Sequence, residues 1–239
     1  MAATLSRERV DAVVLDLDGV LTDTARVHAA AWRRLFDDYL LHRPETAGEN
    51  HAPFTDDDYR HHVDGRPRYD GVRAFLASRG IALPPETLRE LGDRKDRYFL
   101  DAIAHQGVRV FDDAPRLLRR LREAGIRPAV ISASRHCATV LESVGLLDVF
   151  DARVDGRVAD ELHLPGKPDP AVFLEAVRRL DVAPSRAVVV EDAEAGVAAG
   201  AAGGFGLVVG VDRTGHGRDL LTAGAHVVVP DLDALEVTP

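Results

Sequence analysis

Residues 10–24, VDAVVLDLDGVLTDT, decide the fold of this 239-residue chain. The apolar run 12–15 is rich in β-branched residues, which predicts a strand buried on both faces of a sheet. Asp16 and Asp18 follow two positions apart, so both carboxylates can face one pocket at the carboxyl end of that strand. Two acids this close need a cation or a shared proton between them. The alternative is a surface turn formed by Asp and Gly; we favour the pocket because the acids directly follow the apolar run.

Composition limits the possible classes of protein. The length allows one large core or two smaller ones, and no apolar run reaches membrane-spanning length. The first residues, MAATLSRER, lack the apolar middle of a signal peptide, and Cys137 is the only cysteine, so we expect a cytoplasmic protein. The formal net charge of −9 argues against binding to nucleic acid or to an anionic membrane. An anionic substrate therefore requires a locally positive pocket.

The segment between residues 26 and 105 is predicted to be helical, with no convincing strand. A polar, irregular stretch covers 42–55, and Thr55 or Asp56 is the predicted cap of a short helix that follows it. Apolar residues at helical spacing predict helices over 22–40, 69–78 and 85–104.

From residue 108 onward, strands alternate with helices, which predicts an α/β fold with a doubly wound, mostly parallel sheet. The predicted strands are 127–133, 152–155, 187–190, 207–211 and 226–229. The predicted helices are 113–125, 135–144 and 169–180. We therefore divide the chain into a core, residues 1–25 and 106–239, and an inserted helical cap domain, residues 26–105.

Three further polar sites lie where predicted strands end or helices begin. Ser132 and the free amides of the following helix predict a phosphate seat, although a simple helix cap would look the same. Lys167 precedes a helix, and only it and Lys95 are lysines among 30 basic residues, which leaves 28 arginines. Retention of lysine there favours a compact point charge over a solvated loop residue. Glu191 and Asp192 are again acids after a buried strand, and together these groups suit phosphoryl transfer.

The stretch Asp16–Asp23, followed by Ser132, Lys167 and Glu191-Asp192, resembles in order and spacing the four motifs of the haloacid dehalogenase-like phosphotransferases. The resemblance covers essentially the whole chain. It implies a Rossmann-like α/β core, and the helical segment is similar to that superfamily's small mobile cap.

A closer resemblance is to the β-phosphoglucomutase family. The residues that carry it are Thr24, Ala25, His28 and Trp32 in the hinge helix, Gly65 and Arg68 in the cap loop, Lys95 near the substrate, and Ser132-Ala133-Ser134 in the phosphate loop. Three features depart from the family: Arg135-His136 replaces an expected Lys-Asn, Arg66 is bulkier than expected, and residues 42–62 are longer than usual. Because these changes surround the sugar, they affect substrate identity more than chemistry.

The resemblance implies a role for each matched residue. Asp16 would be the nucleophile and Asp18 the general acid and base, while Mg²⁺ would be held by Asp16, Asp192 and the backbone carbonyl of Asp18. Glu191 would lie beside the metal or orient Lys167. Ser132, Ala133 and Lys167 would bind the transferring phosphate, and the substrate would contact Thr24, His28, Gly65, Arg68, Lys95, Ser134 and Arg135. Arg68 would hold the distal phosphate; the alternative is that it only pairs with a cap acid such as Asp64 or Asp70.

The implied activity is a phosphomutase that interconverts β-glucose 1-phosphate and glucose 6-phosphate through an aspartyl phosphate and a sugar bisphosphate. A sugar-phosphate phosphatase is the alternative, because the same phosphoenzyme hydrolyses if water enters. A non-catalytic phosphosugar-binding protein is a more distant one. We expect a monomer whose partners are small sugar phosphates.

Two other patterns are explained without a functional role. Cys137 at a helix start is predicted to be a buried structural residue and not an activated thiol. The acidic run 56–58 with His61 and His62 is predicted to be a solvated helix end, since the adjacent acids do not share a face.

Overall fold

The computed structural model describes residues 3–44 and 46–239. Its strands are β1 (Ala3–Ser6), β2 (Ala12–Asp16), β3 (Arg127–Ile131), β4 (Ala152–Val154), β5 (Ala187–Glu191), β6 (Leu207–Val211), β7 (Val227–Val229) and β8 (Leu235–Thr238). Its helices are α1 (Thr24–His42), α2 (Asp56–Asp58), α3 (Arg68–Ser78), α4 (Pro85–Gln106), α5 (Asp113–Glu123), α6 (Cys137–Ser143), α7 (Gly156–Glu161), α8 (Ala171–Arg179), α9 (Glu194–Ala202) and α10 (Gly217–Ala223).

The main sheet is parallel throughout and has the strand order β4-β3-β2-β5-β6-β7. Every residue of β2 is buried, as the apolar run predicted. Val13 and Leu15 pack with α5 and α6 on one face of the sheet, while Val14 packs with α8 and α9 on the other. This confirms the doubly wound α/β fold. It also places the carboxyl ends of β2, β3 and β5 side by side, with Asp16 last in its strand.

The helical segment between β2 and α5 has an apolar core of its own. Trp32 and Phe36 of α1 pack with Phe54, and with Phe75 of α3. Thr55 caps α2, because its hydroxyl accepts from the Asp58 amide while the Asp58 carboxylate accepts from the Thr55 amide. A π-helical turn over Tyr59–Val63 then leads into the loop before α3. The division at residues 26 and 105 stays a prediction, although the separate core agrees with it.

Two predicted helix starts were wrong. Strand β3 ends at Ile131 and α6 begins only at Cys137, so Ser132 lies in a five-residue loop and does not cap a helix. The Ser132 hydroxyl instead accepts from the Ser134 amide, 3.0 Å away, because the loop turns back on itself. Helix α8 begins at Ala171 with Pro170 at the cap position, and the Asp169 carboxylate accepts from the Ala171 amide at 2.9 Å.

Several elements escaped prediction because they are short. Strands β1 and β8 form a separate parallel pair in which Ala3 lies opposite Leu235. Helices α7 and α10 have six and seven residues, too few to display a periodic pattern. Among the described helices, none combines the length and the apolar character that a membrane span requires.

Candidate active site

The predicted site residues converge on one cavity of about 410 Å³ between the sheet edge and the helical cap. Of those residues, the ones that line it are Asp16, Asp18, His28, Gly65, Arg68, Lys95, Ser132, Ala133, Ser134, Arg135, Lys167, Glu191 and Asp192. Thr24 is fully buried behind the wall and reaches the site through Asp18. The sequence motifs, up to 175 residues apart, therefore form a single site.

The floor of the cavity is a buried charge cluster. The Lys167 ammonium donates to Asp16 Oδ1 at 2.5 Å and to Glu191 Oε1, and all three side chains are almost fully buried. Burial alone would lower the pKa of Lys167, but attraction from the two carboxylates outweighs it and raises that pKa above its ordinary value. Burial also raises the pKa of Asp16, and it raises the pKa of Asp192, where repulsion from neighbouring acids adds to the effect. One lysine thus faces three acids, so a further cation would offset the excess of acidic groups in the cluster.

The acids fit a hard divalent cation. Within the described residues, Asp16, Glu191 and Asp192 form the one group of three acidic, His or Cys residues whose ligand atoms all lie within 4.8 Å of one another. Glu191 already accepts from Lys167 and from the amides of Asp192 and Ala193, at 3.0 and 3.1 Å. Among the described residues, the Asp192 carboxylate accepts no hydrogen bond. Each Asp16 oxygen accepts one, Oδ1 from Lys167 and Oδ2 from the Asp18 amide at 2.8 Å. Asp192 therefore has the freest oxygens for Mg²⁺, whose preferred ligands are oxygens, and Asp16 keeps further lone pairs for it. Gly19 permits this arrangement, since a Cβ there would lie 1.8 Å from Asp192 Oδ2.

Asp18 is held by donors on all sides. It accepts from the Thr24 hydroxyl at 2.5 Å and from the Ser132 hydroxyl at 2.7 Å, and His28 Nε2 lies 3.4 Å away. Burial would raise the pKa of Asp18, but His28 and the two hydroxyls outweigh it and lower that pKa well below its ordinary value. Asp18 is therefore ionised in this arrangement.

The cap supplies the opposite wall. The side chain of Lys95 lies over the rings of Trp32 and Phe99, and its ammonium is 2.5 Å from His28 Nδ1. Burial lowers the pKa of Lys95 to about 7. Gly65 has φ +67° and lies against the core, because a Cβ there would be 3.2 Å from Ala193. The cap loop therefore rests on the loop that follows the Glu191-Asp192 motif.

Arg68 has partners other than the two acids considered from sequence. Its guanidinium lies 2.5 Å from Asp96 and 3.7 Å from Asp93, both on α4, and it makes no ion pair with Asp64 or Asp70 within the described residues. Arg135 is half-exposed at the rim, 3.5 Å from Asp160.

Sequence reasoning assigned no site contact to four residues near the cavity: Asp64, Asp96, His136 and Arg213. Asp64 lines the cavity, and burial raises its pKa to about 7. His136 contacts Asp96 across the cleft. Arg213 holds the loop after Asp16, because it donates to the carbonyls of Gly19 and Val20 at 3.3 and 3.1 Å. The departure at 135–136 was the only sequence signal for any of them.

The two remaining patterns show no functional chemistry. Cys137 is buried, and burial raises the pKa of its thiol well above the ordinary value, so an activated thiolate is disfavoured. Asp58 is the last residue of α2. Its carboxylate completes the cap formed with Thr55 and pairs with Arg79 at 2.6 Å. The run 56–58 with His61 and His62 forms no metal-binding group in the part of the chain that the structure describes.

Comparisons with known proteins agree with this geometry. A family model described as haloacid dehalogenase-like hydrolase matches residues 10–204. A β-phosphoglucomutase of Mycobacterium bovis is 45% identical over 95% of this chain and 92% of its own length. An uncharacterized glycosyl hydrolase of Mycobacterium tuberculosis is 42% identical over 98% of this chain, which spans only 18% of that protein. The crystal structure of a Clostridium difficile β-phosphoglucomutase superposes with a TM-score of 0.77 at 26% identity, covering 95% of this chain and 93% of that one.

Proposed function

We infer the function from one premise: the chain belongs to the haloacid dehalogenase-like hydrolase family and, within it, to the β-phosphoglucomutase family. We propose that it is a Mg²⁺-dependent phosphomutase that interconverts β-glucose 1-phosphate and glucose 6-phosphate. One observation carries the proposal. The buried carboxylate of Asp16 faces a cap that presents Arg68 and Lys95 across the same cavity. A substrate with two phosphates can bridge these two walls.

Asp16 is the proposed nucleophile. Its carboxylate oxygen forms a bond to phosphorus while the bond from phosphorus to the departing sugar oxygen breaks, which leaves an aspartyl phosphate. Transfer back to sugar needs a base, because the attacking sugar hydroxyl must lose its proton. Asp18 takes that proton and, in the reverse direction, returns it to the leaving oxygen. Asp18 is ionised in this structure, so it starts in the protonation state that the first of these tasks requires.

The remaining core residues neutralise charge. Asp16, Asp192 and the backbone carbonyl of Asp18 would hold Mg²⁺, which when bound would offset the charge of the transferring phosphate. Ser132, the Ala133 backbone and Lys167 would bind that phosphate, and Glu191 keeps Lys167 in position.

The cap would bind the other end of the substrate. Arg68, with Ser134 and Arg135, is the proposed site of the distal phosphate, and Lys95 and His28 lie between the two ends. Contact between the cap loop at Gly65 and the core near Ala193 keeps water from the phosphoenzyme. We propose that the enzyme works as a monomer in the cytoplasm, with a sugar bisphosphate as intermediate.

Phosphorus NMR tests the proposal directly. Wild-type protein with Mg²⁺, β-glucose 1-phosphate and a trace of glucose 1,6-bisphosphate should yield glucose 6-phosphate, while Asp16→Asn should yield none. Release of inorganic phosphate alone would establish the phosphatase alternative. An inactive wild type that still binds glucose 6-phosphate would leave the non-catalytic alternative.

A further inference from the structure

A polar contact spans the cleft between core and cap at one point beside the cavity. His136, in the core loop after β3, lies 3.0 and 3.1 Å from the two carboxylate oxygens of Asp96 on cap helix α4. The same carboxylate lies 2.5 Å from Arg68 at the start of α3. All three side chains are between 16% and 26% exposed, so water screens the contact only in part.

The Asp96 carboxylate has the surroundings of a bound anion. Its pKa is lowered to about 2 by His136 and Arg68 against the opposing effect of burial, so it carries a full charge at neutral pH. A carboxylate can only accept hydrogen bonds, so His136 Nε2 must be the donor. Two donors from different domains thus converge on one negative group.

The donor set is also incomplete. The Nε of Arg68 is buried and has no acceptor among the described residues. A buried donor without a partner destabilises the structure. A phosphate has more acceptor oxygens than a carboxylate, and Arg binds it through two parallel hydrogen bonds.

We propose that Asp96 is an internal ligand of the distal phosphate subsite, which a sugar phosphate must displace from Arg68 and His136. The inference rests on the proposed function, because that function places a second phosphate beside Arg68. His136 thereby becomes part of the subsite, with the side chain that departs from the expected Asn. Asp96 holds core and cap together while the subsite is empty. A weakly charged ligand attracts Arg68 and His136 too little to displace this carboxylate, whereas a phosphate attracts them more strongly.

The proposal predicts the direction of a mutational effect. Asp96→Asn keeps the shape of the side chain but removes the charge that competes with phosphate. The dissociation constant of glucose 6-phosphate, measured by calorimetry, should fall on the order of tenfold. The KM values for both sugar phosphates should fall with it, while labelling of Asp16 by acetyl phosphate stays unchanged.

Asp93→Asn is the matched control, because Asp93 lies on the same helix at 3.7 Å from Arg68 and is half-exposed. The dissociation constant of glucose 6-phosphate from Asp93→Asn should stay within about twofold of the wild-type value. In an Arg68→Ala background, Asp96→Asn should bring a smaller gain, since only the competition at His136 remains. Asp96→Ala replaces Asp96→Asn if the latter does not fold.

A dissociation constant that is unchanged or higher in Asp96→Asn would overturn the proposal, since a residue that only positions Arg68 would weaken binding when altered. A gain of the same size with and without Arg68 would overturn it as well. Failure of the proposed function is visible separately, as a wild type that does not interconvert the two sugar phosphates. Wild type, Asp96→Asn, Asp93→Asn, Arg68→Ala and the double variant are then titrated with inorganic phosphate, which decides the competition in the same way.

Discussion

The two lysines of the chain lie on opposite walls of the cavity and are equally buried, with 4% of Lys167 and 5% of Lys95 exposed. Lys167, in the core, contacts two carboxylates, which raise its pKa. Lys95, in the cap, contacts aromatic rings and a histidine, and burial lowers its pKa to about 7. The same side chain at the same depth is therefore a fixed charge in the core and a readily neutralised one in the cap.

The difference shows how the two walls divide their tasks. The core wall is in place before substrate arrives, because Lys167 is already paired with Asp16 and Glu191, which lie at the ends of buried strands. In the cap wall, Lys95 makes no ion pair among the described residues, whereas Arg68 pairs with Asp96 and Asp93. An anionic ligand can supply the counter-charge that Lys95 lacks. We infer that chemistry belongs to the core and substrate selection to the cap.

The largest effect is expected for Lys167→Met. It leaves Asp16 and Glu191 buried without their cation, so the free energy of unfolding should fall by roughly 3–5 kcal/mol. Acetyl-phosphate labelling of Asp16 should fall about 10³-fold or more, because the transferring phosphate loses its main donor. Urea unfolding and mass spectrometry of the trapped protein measure the two effects. Arg186→Met, which removes a half-exposed partner of Asp11, is the control and should unfold at nearly the same urea concentration as wild type. Normal labelling of Asp16 in Lys167→Met would contradict the assignment of the chemistry to the core wall.

A smaller effect is expected for the same change in the cap. Lys95→Met keeps the apolar stem that packs on Trp32 and Phe99, so the fold should persist. Flux between the sugar phosphates should fall about tenfold to hundredfold, through loss of one charge-assisted contact. Labelling by acetyl phosphate should stay near wild type, because that reagent does not reach across to the cap. Equal losses of flux and labelling would contradict the division of tasks.

The last expected effect is on how stability depends on pH, and it leaves the chemistry of the core wall unchanged. The folded pKa of Lys95 is about 7, below its ordinary value of 10.5, so between these pH values the unfolded chain binds more protons. This lysine therefore makes the protein more stable as pH rises through that window, and it destabilises the fold most below pH 7. Lys95→Met should be more stable than wild type at pH 6, on the order of 2–4 kcal/mol, and the advantage should shrink toward pH 10. Urea unfolding at both pH values measures it; a constant difference would refute a lowered pKa.

The core wall could be predicted from sequence because its information is local. Asp16, Ser132 and Glu191 each lie at or directly after the end of an apolar strand, and the edge of a parallel sheet brings such ends together. Lys167 was found through composition, since the chain uses arginine almost everywhere else. The parallel sheet and the helical insertion followed from the same alternation of patterns.

The rest depends on contacts between distant segments, which periodicity does not encode. Arg213 reaches the loop after Asp16 from 194 residues away, and nothing in its own neighbourhood indicates that contact. The contact between His136 and Asp96 joins a core loop to a cap helix 40 residues away. The residues of α4 predict a helix but not which loop it meets. The short strands β1 and β8 were not predicted for a related reason, because four residues are too few to show an alternation of apolar and polar side chains.

The burial of both lysines also determines how the protein reacts with reagents that modify primary amines. Acylating reagents and lysine-modifying enzymes need an accessible primary amine, and arginine does not replace it. Neither lysine side chain is accessible while the cap rests on the core. Lysine modification in water is thus confined to moments when the cleft opens or the chain unfolds locally. The rate of modification at Lys95 and Lys167 therefore measures how often the cap moves away from the core.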